Sequence, residues 1–292
     1  MRVILLLNNE AGTRSCPSAA SLAQALANAG VTADIRQIDG AGLGVAVCKA
    51  ANESSDGIVA AGGDGTISAV ASALSGSDVP LGILPTGTLN HFARDLHIPV
   101  DLIGAARVIG AGNIRQVDTG EVNGTTFINN ASIGLYPHMV SHRDDQRQKL
   151  GRGKWIAMFL AALTVLRRYP LVHVVLDTPV GVFPRITPFV FVGNNSYLIH
   201  LLALGARAKL DEGQLCVYFA NRTGRFGLFR LMLRALIGRL NQAKDFDSLS
   251  TTHLRIDSLR RELPVAIDGE VHLLHPPLNF TIRPRSLRVF AP

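Results

Sequence analysis

Cysteines, aromatic side chains and long apolar runs are all scarce in this chain, and each scarcity removes a class of explanation. Three cysteines, Cys16, Cys48 and Cys216, stand far apart in 292 residues. They form no CxxC pair, so neither a zinc site nor a disulfide framework is indicated, and a reducing cytoplasm is the expected compartment. Aromatic residues make up 6% of the chain. That gives little material for base stacking and argues against a nucleic-acid partner. The longest apolar segment, Trp155 to Leu166, falls short of the roughly 20 residues that a bilayer span requires. Acidic residues are outnumbered, 22 against 29 basic, and the resulting net charge of +7 favours anionic partners.

Hydrophobic residues reach 47%, enough for a sizeable core. Up to residue 122 the pattern alternates strand and helix. Val3 to Leu7, Ala33 to Ile38 and Gly57 to Ala60 read as strands. Ser18 to Gly30, Val45 to Ala51 and Ile67 to Leu74 read as helices between and after them. Such alternation predicts an α/β unit with a parallel sheet and right-handed crossovers. Asn123-Gly124 is then a strong hairpin signal. The chain beyond it is rich in strands: Val172 to Leu176, Phe189 to Gly193 and Leu263 to Ile267. The expected division is an α/β domain over 1–122 and a β-rich domain over 123–277. The alternating segment 278–292 is expected to return to the first domain.

The stretch Ala60-Ala61-Gly62-Gly63-Asp64-Gly65-Thr66 joins a strand to a helix. Its glycines allow backbone to approach a polyanion, and the free N–H groups opening the helix favour negative charge. Asp64 would repel a phosphate unless a cation lay between them, which suggests Mg²⁺. A tight βα turn with an Asp cap is the plainer alternative. A second strand, Pro80 to Leu84, runs into Pro85-Thr86-Gly87-Thr88-Leu89-Asn90-His91-Phe92-Ala93-Arg94. Asn90 and Arg94 lie one helical turn apart. Two such turns at successive strand ends fall on one edge of a parallel sheet, where such folds bind ligands. The turn after the first strand, including Asn8, Asn9 and Gly12, is a third candidate for that edge.

The pair of motifs resembles the diacylglycerol kinase catalytic family, which includes bacterial lipid kinases and the sphingosine and ceramide kinases. The GGDGT element is also similar to that of NAD kinases and phosphofructokinases. The resemblance implies a first domain of that nucleotide-binding type and a β-sandwich second domain. It implies phosphoryl transfer from ATP, with Mg²⁺, to a lipid hydroxyl, as in phospholipid biosynthesis. Thr66, Thr88 and Asn90 would contact nucleotide, and Arg94 would brace a phosphate or carboxylate. Asp268-Gly269-Glu270 resembles the family's closing DGE segment, which makes Glu270 the expected general base and Asp268 the orienting or second carboxylate beside it. Lys209-Leu210-Asp211-Glu212-Gly213-Gln214 resembles a loop that carries a structural Mg²⁺ in related kinases. There the Glu212 carboxylate and the Lys209 and Gln214 carbonyls would bind it. Asp118 could support the nucleotide edge. His91 stands where the family often has Asp, and Asn9 where it has Pro.

Two segments, Ser141 to Arg168 and Phe226 to Leu240, combine an apolar side with basic residues. They read either as helices covering a sheet or as contacts with an anionic membrane surface. The expectation is therefore a cytoplasmic, peripherally membrane-associated lipid kinase. Whether it forms a homodimer is left open by the sequence. An NAD kinase-like enzyme and a non-catalytic nucleotide-binding module are the alternatives.

Overall fold

The computed structural model describes residues 1–8, 17–39, 42–134, 171–179, 181–200, 203–207, 209–220 and 246–292. The first half alternates as the pattern predicts. β1 (Arg2–Asn8), α1 (Ala19–Asn28), β2 (Thr32–Ile38), α2 (Leu43–Ala51), β3 (Gly57–Gly62), α3 (Asp64–Leu74) and β4 (Leu81–Pro85) come first. Next come the short α4 (His91–Asp95), then α5 (Leu102–Ala111) and β5 (Ile114–Val122). Strands β2-β1-β3-β4 are parallel neighbours. Every residue of β3 and β4 is buried, as in a sheet covered on both faces. Helix α1 packs with α5, and α2 with α3. Caps fix the helix starts: Ser18 Oγ accepts from Ser21 N at 3.1 Å, and Asp101 Oδ1 from Gly104 N at 2.8 Å.

The second half is antiparallel. It contains β6 (Thr125–Phe127), β7 (Asn130–Gly134), β8 (Val172–Thr178), β9 (Gly181–Thr187), β10 (Phe189–Asn194), β11 (Tyr197–His200) and β12 (Ala203–Arg207). Then come β13 (Leu215–Ala220), β14 (Phe246–Thr251), β15 (His253–Ser258), β16 (Leu263–Ile267), β17 (Glu270–Leu274) and β18 (Leu278–Phe290). One sheet has the order β14-β13-β10-β7-β16-β17. It faces the β18-β15-β8-β9 part of the first sheet across a core that includes Ile133, Val192, Val265, Leu254 and Phe280. The chain is thus an α/β lobe joined to an antiparallel β-sandwich.

Strand β18 belongs to both. Leu278, Phe280 and Ile282 enter the sandwich core, whereas Leu287, Val289 and Phe290 enter the core of the α/β lobe. A register shift between Arg283 and Leu287 separates these halves. Asp118 pins that irregularity. Its carboxylate accepts from Arg285 N at 2.8 Å and from Gly213 N at 2.7 Å. Asp118 is 1% exposed, so it braces two loops rather than the nucleotide edge expected of it.

The Asn123-Gly124 turn has φ of 46° and 85° and joins β5 to β6, as a two-residue hairpin requires. Strand β9 was not legible in the sequence because Gly181 and Pro184 interrupt it. It is the outermost strand of its sheet, where a missing N–H costs no ladder bond. The two basic amphipathic segments, 141–168 and 226–240, lie outside the described residues.

Candidate active site

The two glycine corners touch. Gly63 caps α3, and Thr86 N donates to Gly62 O at 3.0 Å. A Cβ on Gly87 would stand 2.6 Å from Gly63 Cα, so the corners are in backbone contact and Gly87 has no room for a side chain. Asn90 adopts a left-handed φ of 53°. Its side chain closes the turn: Gly87 N donates to Oδ1 at 3.0 Å, and Nδ2 donates to Gly87 O at 2.8 Å. Asn90 is 5% exposed. The structure therefore gives it a turn-closing role where the sequence suggested nucleotide contact.

Asp64 latches one corner to the other. Asn90 N donates to its Oδ2 at 3.0 Å and His91 N to its Oδ1 at 2.7 Å. Both carboxylate oxygens so accept from amides at the start of α4. Thr66 is buried, and its Oγ1 lies 3.4 Å from Asn8 Nδ2. Thr88 and Arg94 are exposed beside the corners, with Arg94 Nε donating to Leu89 O at 2.9 Å. Asn9 and Gly12 lie outside the described residues.

The sandwich delivers an acid to this edge. Asp268 (φ 47°) and Gly269 (φ 92°) form the two-residue turn between β16 and β17, with Ile267 opposite Glu270. The Asp268 carboxylate accepts from Ile128 N at 2.9 Å, Asn129 N at 2.8 Å and Asn130 N at 3.0 Å. It also accepts from the Ser68 hydroxyl on α3. Burial pushes this carboxyl up from its ordinary value, against the four donors that favour its charge. Asp268 consequently ties α3 to the sandwich beside Glu270. Glu270, close by across the turn, is exposed. Its Oε1 lies 3.5 Å from the position of a Cβ on Gly65. The acid of the far lobe thus stands directly over the glycine turn of the near one.

A second link between the lobes was missed. Arg207 donates through Nε to Asp95 Oδ2 at 2.7 Å, and both side chains are buried. Its Nη1 donates to Ile128 O at 2.6 Å and Asn194 O at 3.2 Å, and its Nη2 to Asn129 Oδ1 at 2.9 Å. The available signal was an arginine ending the apolar run Ala203-Leu204-Gly205-Ala206, since a cation there needs a buried partner.

The loop 209–214 is tied to residues 195 and 196. Glu212 Oε2 accepts from Ser196 Oγ at 2.7 Å, Ser196 N at 3.2 Å and Gln214 Nε2 at 3.2 Å. The Ser196 hydroxyl leads in holding the Glu212 carboxyl below its ordinary value. Asn195 N donates to Gln214 O at 3.0 Å. The Glu212 and Gln214 donors expected to hold a loop Mg²⁺ are therefore engaged within the protein, while Lys209 is exposed beside them. Among the described residues, no group of three or more His, Cys, Asp or Glu side chains gathers as a metal site.

Comparison with known proteins accords with this arrangement. Residues 2–122 match the family described as "Diacylglycerol kinase catalytic domain". Residues 132–291 match the "YegS C-terminal NAD kinase beta sandwich-like domain". A diacylglycerol kinase of Staphylococcus aureus (strain bovine RF122 / ET3-1) is 30% identical over 246 residues, 84% of this chain and 77% of that protein. The same holds for the diacylglycerol kinase of strain Newman. In fold, a crystal structure of a diacylglycerol kinase from Bacillus anthracis str. Sterne superposes with a TM-score of 0.71 at 21% identity. That superposition covers 100% of this chain and 97% of the other. With both lobes matched in order and the acid corner set against the glycine corners, the chain belongs to the diacylglycerol kinase catalytic-domain family.

Proposed function

We propose that the protein transfers the terminal phosphoryl group of ATP to a hydroxyl of a diacylglycerol-like lipid at a membrane surface. One observation carries the reading: the exposed Glu270 carboxylate faces Gly65 in the turn that opens α3. The relatives' names supply the acceptor class. In this reading the backbone N–H groups at the start of α3 receive the phosphate chain. The lipid hydroxyl gives its proton to Glu270 as its oxygen forms a bond to phosphorus and ADP leaves. Mg²⁺, if bound with ATP, would supply neutralisation of charge on the phosphates. Asp64 and Asp268 hold the two faces in register and touch no reacting atom.

Membrane contact draws support from the β15–β16 turn. Leu259 is 96% exposed there, next to exposed Arg260 and Arg261, an apolar tip beside two cations. None of the described helices is long and apolar enough to cross a bilayer.

The test is a phosphorylation assay with labelled ATP, Mg²⁺ and mixed micelles of diacylglycerol, sphingoid base or total lipid extract. Wild type labels a lipid, and Glu270→Gln lowers turnover by about 10²–10⁴-fold while still binding ADP. No labelled lipid from any mixture, or labelled NAD in a parallel assay, overturns the reading.

A further inference from the structure

Arg207 and Asp95 form an ion pair with side chains only 0% and 6% exposed. Pairs so deeply desolvated contribute little net stability relative to apolar replacements. Their partners point to another role. Arg207 stands over the rings of Phe92 on α4 and Tyr197 on β11, at 6.0 Å and 5.4 Å. Its Nη1 and Nη2 both reach one short segment, through the Ile128 carbonyl and the Asn129 side chain, and Nη1 also donates to Asn194 O. Asn194 adds a further donor to Ile128 O at 2.9 Å. The same segment turns its amides the other way: Ile128, Asn129 and Asn130 all donate to Asp268.

A continuous path results. Asp95 ends the helix begun by the second glycine corner, and Arg207 carries that position to residues 128–130. Those residues hold Asp268, and the Asp268 turn sets Glu270 over the first glycine corner. We infer that Asp95 and Arg207 are a positioning pair for Glu270, which fixes the acid corner through the amides of Ile128, Asn129 and Asn130. The inference rests on the kinase reading for its catalytic consequence, though not for the path itself. Arg207 touches no reacting atom. It acts through a fork of donors that only a guanidinium presents at once, since a lysine ammonium is a single point.

The test compares wild type with Arg207→Lys and with the milder Asn129→Ala, which keeps the ion pair and removes one acceptor. Amide hydrogen exchange of residues 128–130 is read alongside kcat, KM for ATP and ADP affinity. The expected result is faster exchange at these three amides in both variants. It comes with kcat lowered by about tenfold or more in Arg207→Lys and unchanged ADP affinity, as a displaced acid would give. A purely structural role instead lowers the melting temperature while kcat per folded molecule and local exchange stay as in wild type, and that outcome overturns the inference. Should Arg207→Lys fail to fold, Asn129→Ala decides by the same readouts. Should wild type phosphorylate no lipid, the kinase reading falls by itself. The exchange data then decide the path alone: faster local exchange upholds it, and unchanged exchange refutes it.

Discussion

A methyl group at Gly65 separates stability from catalysis. Gly65 lies in the first turn of α3 and does not need a left-handed backbone. A Cβ built there meets only Glu270 Oε1, at 3.5 Å, an ordinary van der Waals distance. Gly65→Ala therefore introduces no clash and removes unfolded-state freedom. Helix propensity alone makes it worth about 0.5–1 kcal/mol of added stability. For a chain of this size that is a rise in melting temperature of about 1–3 °C. The same methyl occupies the gap between the glycine turn and the acid. If phosphate and acceptor hydroxyl must meet there, kcat/KM falls by about 100-fold, the scale of a displacement near 1 Å. Differential scanning calorimetry and the lipid kinase assay on one preparation read both effects. A stabilised protein with wild-type turnover would refute the reasoning, because nothing then reacts between Gly65 and Glu270.

Gly87→Ala should behave in the opposite way. Its Cβ would lie 2.6 Å from Gly63 Cα and 2.9 Å from Asn90 Oδ1, with backbone on one side that cannot yield. The expected loss is about 1–3 kcal/mol, seen as a lower urea midpoint. Asp64→Ala leaves the Asn90 and His91 amides without their acceptor. It should cost about 1–2 kcal/mol by the same measurement. Glu212 makes an acid-dependent contribution. Its folded value lies below the ordinary 4.5 because of the Ser196 hydroxyl, so this contribution is complete above 4.5 and is lost as pH falls through the folded value. Melting curves of wild type and Glu212→Gln should thus differ at neutral pH and converge in acid; a gap constant with pH would count against it.

Local backbone demands were legible, and distant partners were not. Asn123-Gly124 and Asp268-Gly269 announce their turns because few residues accept a left-handed φ, and Gly62 because a Cβ there would stand 2.5 Å from Thr66 Cβ. The identity of what a carboxylate binds is not local. The amides on Asp64 come from 26 and 27 residues away, and those on Asp268 from 138 to 140. For both acids the sequence offers only the chemistry of a carboxylate, and the fold adds a latch between elements. Glu270 was singled out by a resemblance rather than by periodicity, and the fold sets it opposite Gly65. The Asp95–Arg207 pair spans 112 positions, and only the fold brings its members together.

Strand β18 has a consequence for synthesis. It lies beside β4 and β5 in the α/β lobe and beside β15 in the sandwich. A ribosome releases β4 and β5 first, and the edge that each turns to β18 stays unpaired while every intervening strand is made. The nascent lobe cannot seal its sheet until residues 278–290 emerge. Through that interval it is exposed to wrong pairing with other chains, so its yield in the cell depends on how well that open edge is shielded during translation.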